Sequence, residues 1–195
     1  MRLRARPGSA FVVHSLNCNR VVGYTWASRH AHVKRVFKNV LRQYGFMPDQ
    51  NEPRFVGGVG PDVCFQLGKH MALVDVTVVN PLADSYVAAE AVEAGTTLRR
   101  ADEKKDSKYT TLAEDRLMTF HPLALSVFGT PSQSSLTLLR KASRCTADPD
   151  GFLRHMFSAL QVAVQVGNAR ILMAATAGWW QAGAGDVLSM GGVKV

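Results

Sequence analysis

The stretch that decides the fold is GPDVCFQLGKHMALVDVTVVN, which covers Gly60–Asn80. Apolar residues alternate with others before Gly68, and the run after the turn is β-rich and almost wholly apolar. The pattern therefore predicts two strands joined by a tight turn. Asp75 is the exception within the second strand. A carboxylate in such a strand needs a cation or a hydrogen-bond donor, because an unpaired buried charge costs many kcal/mol.

Asp62, just after Pro61 where the first strand begins, is the natural companion of Asp75. Twelve residues separate the two aspartates, about what a short strand, a turn and half a strand require. Two carboxylates on adjacent strands can share one Mg²⁺, with waters completing its coordination. Such an ion would polarise a scissile phosphate and lower the pKa of an attacking water. The structural alternative is that Asp62 caps a turn and Asp75 pairs with a nearby cation.

Length and composition indicate a folded protein in a reducing compartment. The 195 residues fit one domain with a sizeable core, and a hydrophobic content of 47% argues against extensive disorder. Three cysteines without a CxxC pair are too few and too scattered for a disulfide framework. No secretion signal and no long uncharged apolar run is apparent, so we expect neither secretion nor a membrane partner.

The positive charge is concentrated at the N-terminal end. Residues 1–60 contain ten Lys or Arg against two acids, giving +8, whereas residues 61–195 sum to zero. This asymmetry favours a phosphate-binding surface, although a solvated basic helix face would look the same. Apolar spacing predicts a helix from Ser28 to Tyr44, followed by Gly45. The cations expected off its apolar face, and against nucleic acid, are Arg29, Lys34, Arg35, Lys38 and Arg42.

Further elements follow from periodicity and from turn residues. They are a short strand at 52–56, helices at 84–94 and 97–117, a strand at 120–128, and helices at 132–144, 148–167 and 168–177. Asp148 is the predicted N-cap of the sixth of these elements, and Gly167 is its predicted end.

The chain resembles the restriction-like endonuclease domain of site-specific non-LTR retrotransposons. The resemblance rests on four segments in order: Asn51-Glu52-Pro53, Gly60-Pro61-Asp62, Asp75-Val76-Thr77 and Lys105-Asp106-Ser107-Lys108-Tyr109. It spans about Phe11 to Gly178 and extends to Arg29-His30 and Gly167-Asn168-Ala169. That domain belongs to the PD-(D/E)XK nuclease superfamily. The resemblance therefore implies an α/β fold with an αβββαβ core, in which helices flank a mixed sheet. The nuclease core would cover 27–130, with a C-terminal helical extension at 131–178 and a tail at 179–195.

The resemblance also implies an activity. It is that of a metal-dependent endonuclease that nicks double-stranded target DNA for target-primed reverse transcription. The protein would act in the nucleus, where integration takes place, and would otherwise be cytoplasmic. RNA of the element is a further candidate partner. Asp62 and Asp75 would hold Mg²⁺, for which Mn²⁺ can substitute, with the Val76 carbonyl assisting and Glu52 as a third acid.

Two positions depart from the superfamily's usual pattern. Its lysine normally stands two residues after the second acid, where this chain has Thr77. The retrotransposon branch uses a lysine of a K-x-x-K-Y run instead, which corresponds to Lys108, with Lys105 and Tyr109 alongside. Gly60 replaces the basic residue that this branch usually has before Pro-Asp.

Upstream, the family carries a Cys-Cys-His-Cys zinc knuckle. His14 and Cys18 resemble its last two ligands, and half a knuckle cannot close a tetrahedral zinc site. Residues 1–26 are therefore interpreted as a basic arm with a knuckle remnant, and the chain as a fragment or degenerate copy of a longer element. The alternative function is a decayed nuclease fold that binds nucleic acid without turnover.

Overall fold

A computed structural model of the chain describes residues 15–16, 25–54 and 60–189, with side chains as far as residue 177. In chain order its elements are α1 (Trp26–Gln43), β1 (Val63–Leu67), β2 (His70–Val79), α2 (Val87–Val92), α3 (Thr96–Glu114), β3 (Thr119–Ser126), α4 (Gln133–Ser143) and α5 (Pro149–Ser189). The strands form one sheet in the order β1-β2-β3. β1 and β2 are antiparallel, whereas β2 and β3 are parallel. The predicted mixed α/β fold, a small mixed sheet flanked by helices, is confirmed.

The β1-β2 hairpin has a two-residue loop, because Leu67 pairs directly with His70. Gly68 occupies the first loop position with φ of 63°, a left-handed conformation that favours glycine. Val63 lies opposite Val74, so one step further along the same register Asp62 lies opposite Asp75. The length of the turn thus places the two aspartates at facing positions of the hairpin.

Helices cover both faces of the hairpin. Val63, Phe65 and Val74 belong to the main core, which α1, α4 and α5 also enter. Cys64 and Leu73 pack on the opposite side against Ala113 of α3. Since successive side chains of a strand point to opposite faces, Asp75 shares the α3 side with Leu73. Burial on both faces explains why β2 is nearly all apolar.

The connection from β2 to β3 runs through α2 and α3. α2 is shorter than the predicted 84–94, because turns occupy the residues before it. Glu90 of α2 fixes the start of α3 by accepting hydrogen bonds from the backbone N–H groups of Gly95 (2.6 Å) and Thr97 (2.8 Å). This contact anchors the helix that carries the lysines.

The end of α1 follows the predicted pattern. Gly45 has φ of 87° and donates its N–H to Arg42 O, while Phe46 N–H donates to Leu41 O, each at 3.1 Å. This pair of bonds is the Schellman arrangement, in which the left-handed position after the helix favours glycine.

The predicted break at Gly167 is wrong, because α5 runs without interruption through this position, and its backbone is helical through the start of the predicted tail. A Cβ at Gly167 would lie 2.5 Å from Cγ of Arg29. Glycine here permits the close approach of α1 to α5. None of the helices in the described ranges has the length and apolar character needed to cross a membrane.

Two sequence predictions fall wholly or partly beyond what the structure describes. The predicted strand at 52–56 is absent at 52–54, which have no regular secondary structure, and its last two positions lie outside the described ranges. His14 and Cys18 of the predicted knuckle remnant lie outside them as well.

His121 in β3 should make stability depend on pH. Burial, with some repulsion from Lys141, lowers its pKa from the ordinary 6.5 to about 4. The folded protein therefore resists a proton that the unfolded chain accepts, and the free energy of unfolding should fall as the pH drops from about 6.5 to about 4. Urea denaturation of wild type and His121→Gln at several pH values measures this. The variant should lose that part of the dependence, whereas His70→Gln, at an exposed histidine, should keep it. Identical profiles for wild type and His121→Gln would contradict the prediction.

Candidate active site

Both aspartates line one cleft between α1 and α3, with a volume of about 440 Å³. α1 contributes Trp26, Arg29 and His30 to its walls, and α3 contributes Lys104 and Lys105. The side chains of the aspartates are recessed: Asp62 is 9% exposed and Asp75 is 5% exposed. The register of the hairpin and the docking of two helices therefore bring two buried carboxylates together with several cations.

Asp62 is held by three donors. Its Oδ2 accepts from the Val76 N–H at 2.8 Å and from His30 Nε2 at 3.0 Å, and its Oδ1 accepts from Lys34 Nζ at 3.3 Å. Burial by itself would raise the pKa of Asp62, but His30, the Val76 N–H and Lys34 together outweigh it, so the pKa is lowered. Asp62 is therefore a carboxylate that stays ionised in the folded protein.

His30 is a site residue that the sequence analysis did not assign. Its Nε2 lies 2.8 Å from the Val76 carbonyl oxygen as well as 3.0 Å from Asp62. Both partners are acceptors, so Nε2 carries a proton. Burial opposes a charge on the ring, yet the hydrogen bond and charge of Asp62 outweigh it, and the pKa of His30 is raised. His30 thus ties α1 to β2 and to the residue just before β1. The signal available was its spacing of four from Lys34, which puts both on one face of α1.

Asp75 has fewer donors than Asp62. Its Oδ2 accepts from Lys105 Nζ at 2.7 Å and, more weakly, from Thr77 Oγ1 at 3.5 Å. Burial is the largest influence on its pKa, and with the nearby charge of Asp62 it outweighs Lys105, so the pKa is raised. The ionised form of Asp75 is therefore only partly compensated, and a further cation in the cleft would stabilise it.

The lysine that contacts Asp75 is Lys105, not the expected Lys108. The Lys108 ammonium lies over the ring of Tyr109, 4.6 Å from its centroid, and the side chain is exposed. Its pKa is raised mainly by the Tyr109 hydroxyl and only slightly by Asp75. Lys105 and Lys108 are three residues apart, which is nearly a full helical turn, yet only Lys105 contacts Asp75.

Tyr109 holds α3 against the hairpin. Its hydroxyl donates to the Gly60 carbonyl oxygen at 3.3 Å, and its ring packs at 5.2 Å from that of Phe120 in β3. The expected supporting role of Tyr109 is consistent with this placement, because the contact lies two residues before Asp62.

Glu52, the expected third acid, is linked to Asp62 through Lys34. Its carboxylate is paired with Lys34, which bridges it to Asp62. The side chain of Glu52 is largely exposed. Within the described residues it is therefore a partner of Lys34 and does not contact Asp75.

The predicted basic face of α1 is smaller than expected. Arg29 is buried and donates from Nη1 to Asn168 Oδ1 at 2.8 Å, and Lys38 is buried and donates to the Gln50 carbonyl at 3.0 Å. Lys34 is engaged by two acids. These three side chains are occupied within the protein, and their contact with a polyanion stays a prediction. Arg35 and Arg42 are exposed.

The donor set fits a hydrated hard cation. Two carboxylates and the Val76 carbonyl are oxygen ligands, which Mg²⁺ prefers when waters or substrate phosphates complete its shell. Across the ranges that the structure describes, no group of three or more His, Cys, Asp or Glu could hold an ion by itself. The cleft therefore suits a metal shared with water and phosphate, and it lacks the closed shell of a structural zinc site.

No protein-family model matches this chain, and no curated protein matches it.

Proposed function

We propose that the chain is a Mg²⁺-dependent DNA endonuclease domain with a PD-(D/E)XK type core, of the kind found in site-specific non-LTR retrotransposons. One observation carries the proposal: Asp62 and Asp75 lie on facing strand positions in one cleft, with a lysine 2.7 Å from the second carboxylate. Its role would be to nick target DNA in the nucleus, which exposes a 3′-hydroxyl for reverse transcription.

Each residue of the cleft then has a chemical role. Asp62, Asp75 and the Val76 carbonyl would hold the ion, which supplies polarisation of the phosphate and a more acidic water. His30 and the Val76 N–H keep Asp62 ionised and oriented. Lys105 places a positive charge beside Asp75, where it can stabilise the charge that develops on the phosphate. Tyr109 keeps α3 in position.

Nicking of supercoiled plasmid tests the proposal. The folded protein should produce open circles in Mg²⁺ or Mn²⁺ and none in EDTA. DNA binding without nicking in either metal would overturn the endonuclease assignment and leave the alternative, a nucleic-acid-binding module without turnover. No binding and no nicking would overturn both.

The salt dependence of DNA binding should identify the cations that meet phosphates. Arg35 and Arg42 are exposed, whereas Lys34 and Lys38 are occupied within the protein. Replacing Arg35 and Arg42 with Gln should flatten the log-log slope of affinity against salt by about one to two units, at roughly 0.9 per phosphate neutralised. The matched double variant Lys34→Gln with Lys38→Gln should leave the slope near that of wild type. The reverse result would place Lys34 and Lys38 on the DNA.

A further inference from the structure

We infer that the cleft also binds one unpaired DNA base beside the scissile phosphate, with Trp26 as the surface on which that base stacks. The choice of DNA as ligand rests on the proposed function. The location rests on the cleft itself, whose walls contain an aromatic side chain that the hydrolytic chemistry does not use.

Trp26 is the first residue of α1 and lines the same cleft as both aspartates. It is 52% exposed, although indole is among the largest apolar side chains. His30 follows it by one helical turn, so Trp26 lies next to the residue that holds Asp62. Tyr86, from the turn before α2, contributes a second aromatic ring to the lining. An uncovered aromatic beside a phosphate site is the arrangement on which nucleic-acid bases stack.

The charges around the aromatics suit a nucleotide. Lys104 and Lys105 reach the cleft from α3, and among the described residues the acids in its lining are the two aspartates proposed to hold the cation. Lys104 is exposed, so it can meet a phosphate adjacent to the one that is cut. The cleft thus offers cations for the backbone and an apolar face for a base.

The depth of the site favours an unpaired strand. At 9% and 5% exposure, the carboxylates are reached only by a phosphate that enters the cleft. A cavity of about 440 Å³ is of the size that holds a small molecule, and a nucleotide can enter it with its base. A base can stack on Trp26 only after it has left its pair and its place in the duplex stack. The substrate at the moment of cleavage would therefore be a melted or single-stranded segment.

Fluorescence anisotropy without divalent metal separates this binding from cleavage. The probes are fluorescein-labelled (dT)12, the same oligonucleotide with abasic sites, and a duplex of equal length. Trp26→Ala should weaken (dT)12 binding by about 5- to 150-fold, the range expected for loss of one stacked base, and Trp26→Leu should do the same. Trp26→Phe should retain most of the affinity. Met47→Ala, at an exposed apolar residue outside the cleft, should change it by no more than about twofold.

The abasic probe supplies the second arm of the test. Removing bases should weaken binding to wild type and have little further effect on Trp26→Ala, because the stacking partner is already gone. Wild-type affinity of Trp26→Leu for (dT)12, or an equal loss on single strand and duplex, would overturn the inference. Trp26-dependent binding in a protein that nicks nothing would reject the endonuclease proposal alone. Nicking with no contribution from Trp26 would reject this inference alone.

Discussion

Replacing Asp75 with asparagine should lower the rate of plasmid nicking in Mg²⁺ by about 10³-fold or more. The metal supplies several kcal/mol of transition-state stabilisation, and each 1.4 kcal/mol corresponds to about a factor of ten in rate. An amide keeps the shape of the side chain but loses the charge that the cation needs. Asp84→Asn, at an exposed aspartate on the loop after β2, is the matched control and should nick at the wild-type rate.

Thermal melting tests the same assignment without activity. An ion that binds only the folded state stabilises it by RT ln(1 + [L]/Kd), about 2.7 kcal/mol at 100 times Kd, so wild type should melt higher in Mg²⁺ or Mn²⁺. Asp75→Asn should show little of this response. An equal response in both proteins, or cleavage at the wild-type rate by the variant, would remove Asp75 from the site.

Without metal, Asp75→Asn should be at least as stable as wild type at neutral pH. Burial and the charge of Asp62 raise the pKa of Asp75 despite Lys105, so the folded state binds this proton more tightly than the unfolded chain does. The free energy of unfolding should therefore fall as the pH rises above 3.8, the ordinary pKa of an aspartate, and Asp75 loses its proton. Asparagine avoids that loss. Denaturation in EDTA at pH 7 measures it, and a clear destabilisation would show that the Lys105 ion pair outweighs burial.

Replacing Lys105 with alanine should lower the nicking rate by about 10²- to 10³-fold, the loss typical of one stabilising charge, with little loss of DNA affinity. Lys108→Ala is the matched control, three residues further along α3. Its effect should be much smaller, because its ammonium lies on the Tyr109 ring. A slow Lys108→Ala protein beside an unimpaired Lys105→Ala protein would restore the assignment implied by the family resemblance.

The pH profile distinguishes a direct role of Lys105 from one exerted through Asp75. Removing the lysine takes away the principal group that lowers the pKa of Asp75, so this pKa should rise further. If that were the whole effect, Lys105→Ala would recover its rate at high pH, where Asp75 ionises in any case. A loss that persists across the pH range indicates that the ammonium acts on the reacting phosphate.

The sequence by itself determined the hairpin and its two aspartates. Alternation, a β-branched run and Gly68 are local signals, since strand pairing and a left-handed turn depend on residues only a few positions apart. Once the loop is two residues long, the register places Asp62 opposite Asp75 by counting alone. The apolar face of α1 and its end at Gly45 were predicted for the same reason.

The tertiary structure decided which side chains meet those aspartates. Whether Lys105 or Lys108 reaches Asp75 depends on the rotation of α3 about its axis, which Glu90 and Tyr109 set through contacts with other segments. Gly167 resembles a helix end in sequence, yet it is the point where Arg29 of α1 crosses α5.

Tertiary structure also decided the partners of the cations and the histidine of α1. Lys34 and Lys38 resemble a solvated basic face in the sequence, but the loop after the helix supplies Glu52 and the Gln50 carbonyl as their partners. His30 joins the site only because α1 docks beside the hairpin. Helical spacing states which residues share a face, whereas the docking of one element on another decides what that face touches.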